Sequence, residues 1–257
     1  MGRCIKITDT KIVAPLFAGM EDTLVWSCLQ GVMGNIYADS TENPESVAAI
    51  LGGFSFLVGK PNADIIMFKP DDYKWDYIIM VPQNDEWADP IEKHYQDKAR
   101  KVTRYAFKKD PDVFDKDRLQ SVVDSLSPEY SIQLIDEELY NKCKEISWCY
   151  DWVAQYEDYE TYKRLGLGVV IFKDGEPVAG ASSYSSFIGG IEIQIDTKKE
   201  YRRKGLAYIS GAKLILECLN RGLYPGWDAH NKESAALAKK LGYRFDREYI
   251  VYEISDY

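Results

Sequence analysis

Histidine is nearly missing from this sequence, and cysteine is sparse. The 257 residues include two histidines, His94 and His230, and five scattered cysteines. Structural zinc sites use closely spaced Cys and His ligands, whereas five residues separate the closest cysteines, Cys143 and Cys149. An odd number of cysteines without regular spacing also disfavours a disulfide framework. We therefore expect reduced thiols and no metal.

Long apolar runs are absent as well. No stretch approaches the ~20 apolar residues that cross a bilayer. Residues 1–6 are soon followed by Asp9 and lack the pattern of a secretory signal. These absences predict a cytoplasmic protein that is not attached to a membrane.

Positive charge is in deficit. There are 32 Lys and Arg against 41 Asp and Glu, which gives a net charge of −9. Binding to nucleic acid needs a basic surface, so nucleic acid is not expected as a partner. An acidic surface suits cationic ligands such as amines, although a small net charge usually serves solubility. What remains, 46% hydrophobic and 28% charged residues, is typical of a soluble globular protein.

Turn-forming and charged residues interrupt the apolar pattern at residues 108–112 and 125–128. They predict two domains, residues 1–125 and 126–257. The first domain reads as α/β. Its predicted helices are residues 9–19 and 85–95, and its predicted strands are residues 32–38, 53–59, 64–68, 77–82 and 100–107.

The second domain has clearer patterns, which predict the order β-α-α-β-β-β-α-β-α-β. Asp136 caps a helix, Asp174-Gly175 marks a hairpin turn, and Asn231 caps a later helix that ends at Leu241-Gly242. The predicted strands are residues 130–135, 166–172, 178–184, 191–195, 224–229 and 243–254, and the predicted helices are residues 137–146, 156–165, 206–219 and 232–241.

One strand-turn-helix segment has the features of an anion-binding site. Ile191, Ile193 and Ile195 alternate with polar residues, and the sequence YRRKGLA follows at residues 201–207 before a helix. A turn that leads into a helix directs peptide N–H groups and the positive end of the helix dipole at one point, which favours anions. Gly205 permits close approach of a phosphate. The segment therefore predicts a pyrophosphate cradle, although a basic turn before a helix is often only a solvated cap.

These residues resemble the GNAT superfamily of acetyl-coenzyme A dependent N-acetyltransferases. Arg202, Gly205 and Ala207 match its Gln/Arg-x-x-Gly-x-Gly/Ala signature, and residues 231–243, from Asn231 to Leu241-Gly242-Tyr243, resemble a later motif. The resemblance covers residues 129–257. It implies a C-terminal GNAT fold, a mixed twisted sheet flanked by helices in the α/β (α+β) class, preceded by an α/β half that is a degenerate GNAT-like domain.

The resemblance also implies a cosubstrate and its site. Acetyl-coenzyme A would lie where the fourth and fifth strands separate, with its pyrophosphate on the basic turn, and the acceptor would be a primary amine of a small molecule. The implied cofactor-binding residues are Ile195, Thr197, Arg202, Arg203, Lys204, Gly205, Leu206, Ala207, Asn231 and Ser234.

A substrate amine must lose a proton before it attacks the thioester, and a carboxylate can accept that proton. Glu192, on the fourth strand, is the candidate general base, and Asp196 on the same face is its rival. Both could instead be the solvent side of an amphipathic strand. Gln194, between them, could bind substrate.

The departing thiolate needs a proton, and many GNAT relatives place a tyrosine seven residues after the motif's asparagine. This sequence has Ala238 there. Ser234, one helical turn earlier, is the alternative donor, though a serine there also suits the start of a helix. His230 is a weaker candidate for acid or base.

The leading hypothesis is an N-acetyltransferase of the subgroup that includes zwittermicin-resistance-type enzymes, with its acceptor site in a cleft between the halves. Aromatic residues could line that cleft or could be core: Trp148, Tyr150, Trp152, Tyr156 and Tyr159. Because Ala238 replaces the usual acid, a catalytically silent acyl-coenzyme A binding module is the alternative. Phosphoryl transfer is disfavoured, since the turn lacks the spacing of a phosphate-binding loop with its lysine.

Overall fold

The computed structural model describes residues 4–257, so Met1 to Arg3, on which part of the expectation about the amino terminus rests, lie outside the described residues. The chain forms two compact units. The first unit contains the described residues up to Arg104 together with Glu248–Tyr257, and the second unit contains Tyr105–Arg247.

The observed division differs from the boundary that the sequence predicts near residue 125. Helix α4 (Lys116–Asp124) packs on helix α7 (Leu206–Asn220), and its Leu119 is part of the second unit's core. The last strand, β13 (Phe245–Ser255), pairs with β5 (Tyr77–Pro82) of the first unit. The packing of α4 and the pairing of β13 therefore determine the limits of the two units. Neither can be predicted from local composition.

The first unit contains a sheet with the strand order β1-β2-β3-β4-β5-β13-β6, in which β4 and β5 pair in parallel. Its remaining elements are β1 (Ile5–Ile7), α1 (Thr23–Gln30), β2 (Asn35–Ala38), β3 (Ser46–Leu51), β4 (Phe54–Gly59), α2 (Ala63–Met67), α3 (Ala88–Tyr95) and β6 (Ala99–Phe107). Strands β6 and β13 each continue into the second unit.

Two sequence predictions for the first unit are wrong, and three of its elements, β1, β3 and α1, are not predicted from the sequence. Residues 64–68 lie mostly in helix α2, because Asn62 accepts a hydrogen bond from the Asp64 amide and caps a helix there. Residues 9–19 form two short 3-10 turns, the second with proline at its start. Strand β3 was missed because all six of its residues are buried, so it has no alternation to read.

The second unit has a five-stranded sheet of order β11-β10-β9-β8-β7. Its strands are β7 (Tyr130–Leu134), β8 (Gly168–Lys173), β9 (Glu176–Phe187), β10 (Gly190–Thr197) and β11 (Tyr224–Gly226), with the short β12 (Asp228–Ala229) paired to β6 instead. Its other helices are α5 (Glu137–Glu145), α6 (Tyr159–Leu165) and α8 (Lys232–Leu241).

Most predictions for this unit are confirmed. Asp136 caps α5, and Asn231 caps α8. Asp174 and Gly175, both with positive φ, form the β8–β9 turn. One prediction is wrong: residues 224–229 are not one strand, because β11 joins the five-stranded sheet and β12 pairs with β6.

The fold class is mixed α/β with twisted mixed sheets flanked by helices, as the sequence predicts. Helix α7 packs on the face of the sheet that carries Ile191, Ile193 and Ile195. No helix among residues 4–257 is long and apolar enough to cross a membrane.

Candidate functional site

Strands β10 and β11 separate after a short stretch of pairing. They run in parallel for only three residues each, Gly190 to Glu192 beside Tyr224 to Gly226. Beyond that point β10 continues to Thr197 along β9 alone, while the chain after Gly226 turns away to pair with β6 as β12. The far half of β10 therefore has no strand partner on that side within residues 4–257, and we call this unpaired edge the β10–β11 opening.

Residues 198–205, the basic turn, connect β10 to helix α7. The Arg202 side chain donates a hydrogen bond from Nε to the Thr197 carbonyl at 3.2 Å, which ties the end of the turn to its start. Arg203 has φ of 62° and Gly205 has φ of 82°, so two residues of the turn are left-handed. This conformation is strained for arginine and easy for glycine.

The basic turn exposes the amino terminus of α7. The first intrahelical hydrogen bonds come from the amides of Tyr208 and Ile209, which both donate to the Gly205 carbonyl. The amides of Leu206 and Ala207 precede them and have no intrahelical acceptor. No side chain within residues 4–257 caps this helix, and the space beside the Gly205 α-carbon is open to 4 Å.

These features fit an anionic cosubstrate. The helix terminus, the exposed side chains of Arg203 and Lys204, and the open space at Gly205 all favour a diphosphate. Beside the turn, Thr197 Oγ1 is buried and has no hydrogen-bond partner among the described residues, so a ligand there could supply one. Leu206 is buried in the core, so only its peptide group can contact a ligand.

Glu192 lies where the β10–β11 opening begins. It is the last residue of β10 paired with β11, and it is 5% exposed. The pairing with β9 is irregular at this residue, since Ser185 lies opposite Glu192 but Ser183 lies opposite Ile193. The negative charge of Glu192 contributes, after burial, to raising the pKa of Tyr224 to a value above the ordinary tyrosine range.

Asp196, the rival base, is already hydrogen-bonded within the protein. Its Oδ2 accepts from Trp152 Nε1 at 3.1 Å and from Gln194 Nε2 at 2.9 Å. Burial, assisted by the charge of Asp151, raises the pKa of Asp196 above the ordinary carboxyl value, while these hydrogen bonds and the charge of His230 act against the shift. Gln194 therefore hydrogen-bonds to Asp196, and a contact of Gln194 with substrate stays a prediction.

The start of helix α8 brings together three of the predicted residues. Asn231 Oδ1 accepts from the Ser234 amide at 2.8 Å, and Asn231 Nδ2 lies 2.8 Å from His230 Nε2. Ser234 Oγ accepts a hydrogen bond from the buried Trp227 indole at 3.3 Å. Asn231 is thus a helix cap, and Ser234 Oγ accepts a hydrogen bond from a core residue.

Ala238, where the resemblance implies a tyrosine, is 0% exposed in the second unit's core. The helix presents Ala235, Ala238 and Leu241 to that core. The position therefore faces packed apolar residues, which explains why a small side chain occurs there.

The aromatic residues divide between core and surface. Trp152 and Tyr156 are fully buried in the second unit, where Trp152 packs edge-to-face on Trp148. Tyr156 hydrogen-bonds to serines of β9. Tyr150 is exposed and Tyr159 is partly buried against Tyr140. Trp152 and Tyr156 are therefore core residues, which is one of the two alternatives that the sequence left open.

Sequence reasoning missed the serines of β9. Four of them, Ser182, Ser183, Ser185 and Ser186, are buried in the second unit. The signal was present as ASSYSSF at residues 181–187, which is unusually rich in hydroxyls for a buried strand. Three of the four bond to groups around Trp152, Tyr156 and residues 165–167.

Comparison with known proteins identifies the class of enzyme. A family model described as GNAT acetyltransferase matches residues 14–252. The chain therefore belongs to the GNAT acetyltransferase family, and the predicted resemblance to that family is confirmed. The match spans most of both units, which is wider than the residues 129–257 that the motifs cover.

Among individual proteins, the chain is similar to a GCN5-related N-acetyltransferase-like protein from Streptococcus suis 89/1591, with a TM-score of 0.91, 46% identity, and coverage of 96% of this chain and 98% of that one. It is 28% identical over 244 residues to the uncharacterised N-acetyltransferase YdfB of Bacillus subtilis (strain 168), covering 90% of this chain and 89% of YdfB.

A tandem GNAT protein from the clavulanic acid biosynthesis pathway shares the fold, with a TM-score of 0.57 at 10% identity and coverage of 99% and 98% of the two chains. This likeness concerns the fold alone. That the first unit is itself a degenerate GNAT-like domain remains a prediction.

Proposed function

We propose that this protein transfers the acetyl group of acetyl-coenzyme A to a primary amine of a small molecule. The observation that carries the proposal is the β10–β11 opening followed directly by the basic turn, with its open left-handed glycine at the amino terminus of α7. Family membership supplies the reaction type, and these features supply a place for the cosubstrate.

The basic turn would hold the diphosphate of the cosubstrate. The peptide groups of residues 203–207 and the charges of Arg203 and Lys204 would bind it, and Arg202 would keep the turn closed through Thr197. The peptide groups of Ile195 and Thr197, at the edge of β10 that lacks a partner, would bind the arm that follows. Bound acetyl-coenzyme A would supply an activated acetyl group.

Glu192 would accept the proton that the acceptor ammonium must lose. Its position at the head of the β10–β11 opening supports this role. The rival, Asp196, accepts hydrogen bonds from Trp152 and Gln194 at Oδ2. A carboxylate must be ionised to accept this proton. Ser234 would donate a hydrogen bond to the departing thiolate, with Asn231 fixing the start of α8 beside it.

The experiment is an acetyl-transfer assay with acetyl-coenzyme A and a panel of polyamines, aminoglycosides and amino acids. Release of free thiol that depends on one of these amines supports the proposal. Binding of acetyl-coenzyme A in a thermal-shift assay, without turnover on any amine, would instead favour the second candidate, a silent acyl-coenzyme A binding module, for which Ala238 in the core is the supporting observation.

Finer assignments belong to the same proposal. The α/β unit ahead of the acetyltransferase motifs supports membership of the zwittermicin-resistance-type subgroup. The five cysteines, all free thiols, agree with a reducing compartment, and thus with the cytoplasm.

A further inference from the structure

Four buried serines on β9 differ in how their hydroxyls are satisfied. Three have partners in the second unit: Ser182 donates to the Trp152 carbonyl at 2.7 Å, Ser183 accepts from the Tyr156 hydroxyl at 2.7 Å, and Ser186 donates to the Leu165 carbonyl at 2.6 Å. These bonds tie β9 to the segments around it. These hydrogen bonds explain why serine occurs at each of the three positions.

Ser185 is the exception. Its side chain is 0% exposed, and its Oγ has no hydrogen-bond partner among residues 4–257. Burying a hydroxyl without a partner lowers stability, and alanine of nearly the same shape would avoid that penalty. A serine here is therefore not explained by the packing of the fold alone.

The position of Ser185 suggests its partner. Ser185 lies directly opposite Glu192, at the irregularity where Tyr184 is an extra residue of β9. Directly opposed residues of antiparallel strands project from the same face with β-carbons about 5 Å apart. With this spacing, a rotation of either side chain would bring the Ser185 hydroxyl within reach of the Glu192 carboxylate. Glu192 is the last residue of β10 that pairs with β11, so this contact would form at the head of the β10–β11 opening.

We propose that Ser185 is a positioning residue for Glu192, whose carboxylate it holds by donating a hydrogen bond during turnover. The inference rests on the proposed function, in which Glu192 is the base. A buried carboxylate tends to hold a proton, which would remove it as a base at neutral pH, and a donated hydrogen bond favours the ionised form. Ser185 would thus keep Glu192 ionised while the acceptor ammonium approaches.

Two tyrosines whose pKa values the charge of Glu192 affects have hydroxyls bonded to other groups. From β11 and from the end of α8, the ionisable neighbours are Tyr224 and Tyr243, whose pKa values the charge of Glu192 helps to raise, burial being the larger cause. Their hydroxyls are engaged elsewhere, since Tyr224 donates to the Lys108 carbonyl and Tyr243 donates to the Pro225 carbonyl. On the opposite side in register stands Gly226, which has no side chain.

The test compares Ser185→Ala with Ser186→Ala, which removes a neighbouring hydroxyl that has partners. In Ser185→Ala we expect the acid limb of the pH profile of kcat/KM to move to higher pH by about one unit or more, with activity recovering at high pH. Ser185→Thr should restore the wild-type limb. Ser186→Ala should leave the limb in place.

A second measurement is independent of activity. The unfolding temperature of Ser185→Ala, measured without cosubstrate, should equal or exceed that of the wild type, whereas Ser186→Ala should unfold roughly 3–6 °C lower. The shift in unfolding temperature on adding acetyl-coenzyme A should be the same in wild type and Ser185→Ala.

An unchanged acid limb in Ser185→Ala, or a loss of stability as large as that of Ser186→Ala, overturns the inference while leaving the proposed function intact. A wild-type protein that acetylates no amine, or a Glu192→Gln variant with the full wild-type pH profile, overturns the assignment of the base and the role of Ser185 with it.

Discussion

The indole of Trp152 donates a hydrogen bond to Asp196 Oδ2 across 3.1 Å, and Gln194 donates to the same oxygen. Burial nonetheless raises the pKa of Asp196 above the ordinary carboxyl value. The folded protein therefore binds this proton more tightly than the unfolded chain does. Its contribution to the free energy of unfolding is greatest at low pH and is lost as pH rises through the raised pKa.

Replacing Asp196 by Asn should remove this penalty, because the amide oxygen can still accept from Trp152 without carrying charge. We expect a larger free energy of unfolding than wild type at neutral pH, and a difference that vanishes towards about pH 3, where the carboxyl is protonated in both states. Urea unfolding at the two pH values measures it. A variant that is less stable than wild type at neutral pH would contradict the argument.

Gly205→Glu should abolish most cosubstrate binding, because it adds bulk and negative charge where the diphosphate is proposed to lie. We expect acetyl-coenzyme A affinity to fall roughly tenfold or more. Gly175→Glu is a matched control, since Gly175 also has positive φ and open space, but lies in the β8–β9 turn. Both variants should lose about 1–2 kcal/mol of stability. Isothermal titration should show equal affinity for acetyl-coenzyme A in wild type and Gly175→Glu. Wild-type affinity in Gly205→Glu would refute the proposal that the basic turn binds the diphosphate.

Glu192→Gln tests the base. We expect kcat to fall by about 100-fold or more, as for the loss of a general base, while the affinity for acetyl-coenzyme A stays within a few-fold of wild type. Steady-state kinetics across pH, with equilibrium binding in parallel, gives both numbers. A variant that keeps the wild-type rate and pH profile would exclude Glu192 from proton transfer.

Ser234→Ala should act mainly on stability. It leaves the buried Trp227 indole without its hydrogen-bond acceptor at 3.3 Å, which should cost about 1–3 kcal/mol. We expect kcat to fall by less than about tenfold, because a thiolate can leave without a donor. Chemical denaturation and turnover measured on the same preparations separate the effects, and a large loss of turnover at full stability would instead make Ser234 the acid.

The elements around the site could be read from sequence because local chemistry determines them. Asn231 and Asp136 cap helices with their own side chains, and Asp174-Gly175 fits the positive φ angles of its turn. The basic turn was found because glycine and charge mark it. By contrast, the hydrogen bonds of Asp196 to Trp152 and the isolated hydroxyl of Ser185 arise from residues distant in sequence, whose approach no local pattern encodes.

In the first unit, the elements that the sequence did not predict also depend on packing between distant residues. Strand β3 has no alternation because it is buried throughout, and the Asn62 cap outweighs the strand-like run after it. The boundary near residue 104 depends on where α4 and β13 pack. Tertiary packing, which is not visible in a short window of sequence, decides each of these cases.

The position of strand β13 at the end of the chain affects when the first unit can complete its sheet during synthesis. The sheet of the first unit needs Tyr252 and Ile254, both within its core, beside β5. A ribosome makes the rest of that unit early and delivers these two side chains only after the entire second unit has been translated. The amino-terminal half therefore cannot complete its sheet beside β5 until residues 105–247 have been made, although domains usually mature from the amino terminus onwards during synthesis.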